Sequence, residues 1–211
     1  MREAISSDEQ MDEASLSSNI LMIMHFGTLS NELNMAFLRN GASKWMARLM
    51  RRLTKLPFDI NTGPTVVGFM KGCISYIEGQ SRTYGYPCVV EALENRILES
   101  IVSASPFIHA DLGVRLTVAG DRHLQDQCLA LVRTIGCYTS YFPVLRPLRR
   151  CIWKAERLAR DTQLPSELGR VFELLARITA LRVDDKRSCP PLNACANPMV
   201  GFCVFKSLLP D

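Results

Sequence analysis

Apolar residues recurring every three to four positions, in stretches punctuated by proline and glycine, constrain this chain more than any other feature. Leu124, Cys128, Leu131, Ile135 and Tyr138 form one continuous stripe, and Val66, Met70, Cys73 and Ile77 form another. That period sets each group along one side of a helix, where a half-buried strand would need alternation by two. Helices are read at Leu16 to Met24 and Asn31 to Arg39, split near Gly27, and at Ser43 to Thr54, ended by Pro57. A longer one opens at Gly63 and runs to about Gln80, with Pro64 in the first turn, where a missing N–H costs little. The stretch Tyr84-Gly85-Tyr86-Pro87 marks a turn.

Beyond that turn, Cys88 to Ser103 reads as one helix or two short ones. Asp121 is placed as the cap of a helix running to about Tyr141, and Pro143 as its separation from the next. That next helix, Val144 to Arg160, buries Leu145, Leu148, Ile152 and Ala155, with Pro147 accommodated in its first turn. A last helix from Ser166 to about Val183 turns Leu168, Val171, Phe172, Leu175 and Ile178 inward. Only Phe202 to Phe205 suggests a strand. The fold class expected is all-α, built of antiparallel helix pairs.

A weak internal echo sharpens this. Phe37-Leu38-Arg39-Asn40-Gly41-Ala42 followed by Trp45-Met46 has the layout of a short helix, a tight turn and a longer helix. Ala92-Leu93-Glu94-Asn95-Arg96 followed by Ser100-Ile101 repeats it 55 residues later. Stacked units of that layout build armadillo and HEAT solenoids, so a short solenoid of this kind is one expectation and a general helical bundle the other.

Three regions follow from composition. Residues 1–13 carry Glu3, Asp8, Glu9, Asp12 and Glu13 against Arg2 alone, an acidic leader expected to be disordered. Residues 14–184 form the helical domain, and 185–211 a tail containing proline and cysteine. With 211 residues, 47% of them apolar, the chain can bury a real core. Its longest strongly apolar run, Ile20 to Met24, is far short of the roughly 20 residues that cross a bilayer. The leader has the wrong sign and polarity for a signal or transit peptide. Cytoplasm or nucleus is the expected location. There the eight cysteines should stay mostly reduced. Cys73, Cys128 and Cys151 fall in helical apolar stripes and read as small buried hydrophobes, while Cys88 and Cys137 are left open.

The net charge of +4 is modest and uneven. Two segments hold much of the excess: Arg48, Arg51, Arg52 and Lys55 in one, and Arg146, Arg149, Arg150, Lys154, Arg157 and Arg160 in the other. The spacing of Arg146, Arg150, Lys154 and Arg157 sets them along one side of a helix. Such a face meets phosphates or an acidic partner, or is simply solvated. No nucleic-acid motif accompanies the charge and no interleaved aromatic is read for base stacking, so nucleic acid is not expected as a partner. His25, His109 and His123 have no Cys or Glu at metal spacing and no nucleophile in a recognisable elbow. His109 and Asp111, two apart, carry no assigned role, and His25 reads as a partly buried core residue. There is no phosphate-binding glycine loop and no HExxH, so an enzyme is not expected.

Pro143-Val-Leu-Arg-Pro-Leu-Arg-Arg150, continuing through Lys154-Ala-Glu-Arg-Leu158, resembles the region preceding the zinc finger in MYND-type zinc finger proteins of mushroom-forming fungi. Arg39-Asn-Gly-Ala42 and Leu49 to Pro57-Phe-Asp59 are similar to that family's helical part. The resemblance covers roughly residues 30 to 200, through hydrophobic pattern and short motifs. It implies a helical protein-interaction domain leading into a first zinc-ligand pair. Cys195-Ala-Asn-Pro-Met-Val200 matches the start of that pair, with Val200 where the second cysteine belongs. A MYND finger resembles a cross-braced two-zinc module with seven cysteines and one histidine, and this chain has no histidine after His123. Cys189, Cys195 and Cys203 supply three thiols, and a structural zinc needs four ligands. Zinc is expected only if further residues or another chain complete the set. The function expected is thus protein interaction without catalysis, through the Arg146, Arg149, Arg150, Lys154 and Arg157 face, with zinc binding by the tail as the alternative.

Overall fold

The structure, a computed structural model, describes residues 30–57, 59, 62–113 and 122–188. Among the described residues the chain is helical throughout, with no strand: α1 (Asn31–Arg39), α2 (Ala42–Leu53), α3 (Gly63–Tyr84), α4 (Tyr86–Glu94), α5 (Ile97–Ser103), α6 (Ser105–Gly113), α7 (Leu124–Cys137), α8 (Phe142–Asp161) and α9 (Ser166–Ser188). The all-α expectation holds. The acidic leader, the helix at Leu16 to Met24, His25, Asp121, the strand at Phe202 to Phe205 and the Cys189 to Cys203 tail lie outside the described residues.

Several boundaries moved, each for a local reason. α3 runs four residues past Gln80, until Gly85 breaks it at φ +82°, and Cys88 to Ser103 divides into the two short helices α4 and α5. α6 was not anticipated. Pro106 sits in its first turn, and its Phe107 and Ile108 are buried in the core. α8 begins at Phe142, so Pro143 lies inside its first turn instead of separating two helices. That shift moves Pro147 into the second turn, where the carbonyl of Pro143 has no N–H four residues on.

The helices stack in two rows. One row runs α2, then the α4–α5 pair, then α8; the other runs α3, α7, α9. α2 packs across on α3 and α8 across on α9, while α4 also touches α3. Neither α2 with α8 nor α3 with α9 makes extensive contact. Each helix therefore packs mainly on its neighbours within and across the two rows. The core is nevertheless one continuous cluster from Ala42 to Leu175, with Met46, Met50, Ile74, Leu93, Ile97 and Leu131 wholly enclosed. Burying each such side chain contributes roughly 1.5–3 kcal/mol, so packing, not helix propensity, holds helices as short as α5 in place.

The corner of the sequence echo recurs in the structure, but the expected longer second helix does not: α2 spans 12 residues and α5 only 7. Asn40 and Asn95 adopt nearly the same backbone (φ −88°, ψ 9° and φ −98°, ψ 19°), as do Gly41 (70°, 42°) and Arg96 (65°, 39°) that follow them. Each asparagine donates from Nδ2 to the carbonyl four residues back, Ala36 or Glu91, at 2.8 Å. Each left-handed residue then accepts the first bond of the next helix, from Trp45 or Ser100, at 3.1 Å. The copies also touch: Arg48 lies over the Trp45 ring at 5.0 Å and donates from Nε to Asn95 Oδ1 at 2.9 Å. Part of the first basic segment is thereby used in joining the two corners.

Candidate functional site

α8 is amphipathic in an unusual way. Val144, Leu145, Leu148, Cys151, Ile152 and Ala155 are buried, as the apolar stripe requires. The other side holds six cationic side chains against Glu156 and Asp161, and it also holds Phe142 and Trp153, 68% and 63% exposed. Positions 142, 146, 149, 153 and 156 recur at helical spacing, so ring, guanidinium, guanidinium, ring and carboxylate follow one another along one line. Trp153 is thus interleaved with arginines, contrary to the expectation of a charged face without aromatics. Its signal was in the sequence: it falls out of phase with Leu148, Ile152 and Ala155, the stripe that defines the buried side.

α9 closes the other wall. A cleft of about 1190 Å³ opens to solvent between the two helices, floored by Leu145, Ile152, Ala176 and Val183. Arg146, Arg149, Arg150 and Arg177 stand around it with Glu156, Glu173 and Asp184. The four-residue link 162–165 makes α8 and α9 antiparallel neighbours. Glu156 consequently lies toward Glu173 and the loop, while Phe142 and Arg146 lie toward Val183 and Asp184 at the far end. Among the described residues, Arg146, Arg149, Arg150 and Arg177 form no ion pair. Of the arginine face expected from sequence, Arg146, Arg149 and Arg150 line the cleft, whereas Lys154 and Arg157 sit on α8 outside it. Phe142, Trp153 and the whole α9 wall were not anticipated. An exposed residue's contribution to a concave surface depends on which second helix packs beside it, and spacing within one helix does not say.

Several of the remaining polar and reactive groups are engaged within the fold. Asp111 accepts from Lys71 Nζ at 3.1 Å and from the Leu124 N–H at 2.6 Å, with His123 Nδ1 3.6 Å away. It joins α3, α6 and the start of α7, doing the capping work that sequence assigned to Asp121. His109 donates from Nε2 to the carbonyl of Gln163 at 2.9 Å, and Ser105 donates to the same oxygen, tying α6 to the α8–α9 link. His109 and Asp111 therefore face different partners. Cys73, Cys88, Cys128 and Cys151 are buried, as the stripes required for three of them, and Cys137 is half-buried. Desolvation pushes the Cys73 and Cys151 thiols up to about 12 and raises Cys88, Cys128 and Cys137 as well. A raised value keeps these sulfurs protonated and poorly nucleophilic at neutral pH. No cluster of three or more metal-capable side chains occurs among the described residues. The zinc expectation for Cys189, Cys195 and Cys203 lies outside those residues, as does the rest of the tail. No helix among the described residues is long and apolar enough to cross a membrane.

The chain matches no family model, no curated protein and no solved structure.

Proposed function

We propose that this is a non-catalytic interaction domain whose α8–α9 cleft docks an acidic segment of another protein. One observation carries the reading: Arg146, Arg149 and Arg150, without ion pairs among the described residues, stand beside exposed Phe142 and Trp153 over an apolar floor. Arginine and aromatic residues are enriched where protein interfaces bind, because each offers a large contact area with directional polar groups. An occupant with carboxylates beside apolar side chains satisfies both halves of the surface. The cleft is open to solvent and mixed in charge, which suits a peptide better than a compact substrate.

A single nucleic acid strand would also stack on Trp153 and pair with the arginines. Glu156, Glu173 and Asp184 in the same cleft oppose an unbroken run of phosphates, whereas a peptide can set its carboxylates against the arginines and neutral side chains beside these acids. The reading needs no metal.

A displayed library of random peptides selected on the wild-type chain tests it. Enriched sequences are expected to combine Asp or Glu with aromatic or aliphatic residues and to bind R149E/R150E at least about tenfold more weakly. Charge reversal at Arg51 and Lys55, exposed on the opposite end of the stack, is the control and should change little. Selection of sequences without acidic residues, or equal binding to R149E/R150E of unchanged helical content, would sink the proposal.

A further inference from the structure

We propose that the chain's own acidic segment, residues 1–13, occupies the α8–α9 cleft and must leave before a partner docks. This rests on the cleft being a docking surface and adds how it is regulated.

The position of the cleft in the stack is the first argument. α8 is packed on one side by α4 and α5, and α9 by α7. Their remaining face is where a further unit would continue the two rows. Outer faces of such stacks are polar where nothing covers them. Here the face sets 63%-exposed Trp153 beside an apolar floor of Leu145, Ile152, Ala176 and Val183, a surface suited to an occupant with both apolar and charged side chains.

Charge selects which one. Residues 1–13 place Glu3, Asp8, Glu9, Asp12 and Glu13 around Ile5 and Met11, carboxylates beside apolar side chains, which is the chemistry that Arg146, Arg149 and Arg150 with Trp153 would hold. The C-terminal segment 189–211, also outside the described residues, carries only Lys206 and Asp211 as charges. It offers the arginines almost nothing.

Reach is the third argument. Asn34, near the start of the described chain, donates to the Tyr84 hydroxyl at 3.0 Å. Tyr86, two residues on, stacks on Tyr141 with ring centroids 5.4 Å apart, and Phe142 at the cleft mouth follows directly. The described chain thus begins at the α2 end of the stack, and these contacts trace a path from it to the mouth of the cleft. Residues 14–29 span up to about 50 Å when extended, and about 35 Å with the helix expected at Leu16 to Met24. A tethered segment competes at an effective concentration near the millimolar range, so it lowers the apparent affinity for an outside partner without any change in the cleft itself.

Two measurements on the full chain test this. A photo-crosslinking benzoylphenylalanine at Ala180, an exposed position lining the cleft, should join to residues 1–16 within one chain, and R149E/R150E should abolish the product. Crosslinks confined to 189–211 or to a second copy, or none at all, overturn the proposal. The second measurement adds a synthetic peptide of residues 1–16 to the wild-type chain and to one carrying Asp8→Asn, Glu9→Gln, Asp12→Asn and Glu13→Gln. The neutralised chain should bind it about tenfold more tightly, because its internal competitor is gone. Equal, measurable affinity for both chains sinks the self-occupancy and leaves the docking surface standing. If neither chain binds this peptide or any acidic peptide from the library, both proposals fall together.

Discussion

Position 41 holds glycine and position 96 arginine, yet the backbone turns the same left-handed corner at both. A side chain in that region is strained by its Cβ against the following carbonyl, at roughly 1–2 kcal/mol. Arg96 carries that strain and Gly41 does not. A Cβ at position 41 would meet only the Lys44 side chain at 3.8 Å, ordinary contact. Gly41→Ala should therefore destabilise by about 1 kcal/mol through the backbone alone. Arg96→Gly should stabilise by about 0.5–1 kcal/mol, the relief being partly offset by a freer unfolded chain. Its ion pair with Glu99, at 3.8 Å and half open to water, contributes little either way. Urea denaturation of the two variants decides the matter, since shifts of the same sign would contradict a shared corner. Asn40-Gly41 announced its turn in the sequence because glycine is the usual occupant. Asn95-Arg96 did so only by comparison with it, as nothing in an arginine predicts a positive φ.

Among elements, the start of α7 shows where sequence reading stops. The helix itself was plain from Leu124, Cys128, Leu131 and Ile135, all buried. Its cap was not, because the acceptor is Asp111, on another helix 13 residues upstream, and a nearby aspartate at 121 fits the local pattern equally well. Asp111 also pairs with Lys71, and both side chains are mostly enclosed. Removing it takes an acceptor away from the Lys71 ammonium and from the Leu124 N–H together. Asp111→Ala should cost about 2–3 kcal/mol, and Asp111→Asn less, since the amide oxygen still accepts. Urea midpoints give the totals, and amide exchange at the first turn of α7 shows whether the loss is local. An Asp111→Ala variant as stable as the parent would mean that the contacts at α3 and α7 contribute nothing.

For the whole molecule, the row pattern predicts how stability is distributed. α4 and α5 lie between α2 and α8, and α7 lies between α3 and α9, whereas α1 and α9 are flanked on fewer sides. Amide exchange under native conditions should be slowest in α3, α4, α5 and α7 and faster in α1 and in the second half of α9. Uniform protection across all helices would indicate a bundle cooperating as one unit instead. The helices and their inward faces were legible because a 3.6-residue period is a property of each segment by itself. Which helix neighbours which was not, and the cleft depends on that: Trp153 becomes part of a concave wall only because α9 packs beside α8 and lines the same cleft.

The corner shared by Asn40-Gly41 and Asn95-Arg96 has a consequence for descent. A stretch of chain from one corner to the next is a module that gene duplication can copy whole, and the copy has to suit two neighbours in its row, not an entire interior. Two asparagines donating to the fourth carbonyl back, one followed by glycine and the other by arginine, show that one corner can be built from different residues. Length is then the property that this architecture alters with least rebuilding.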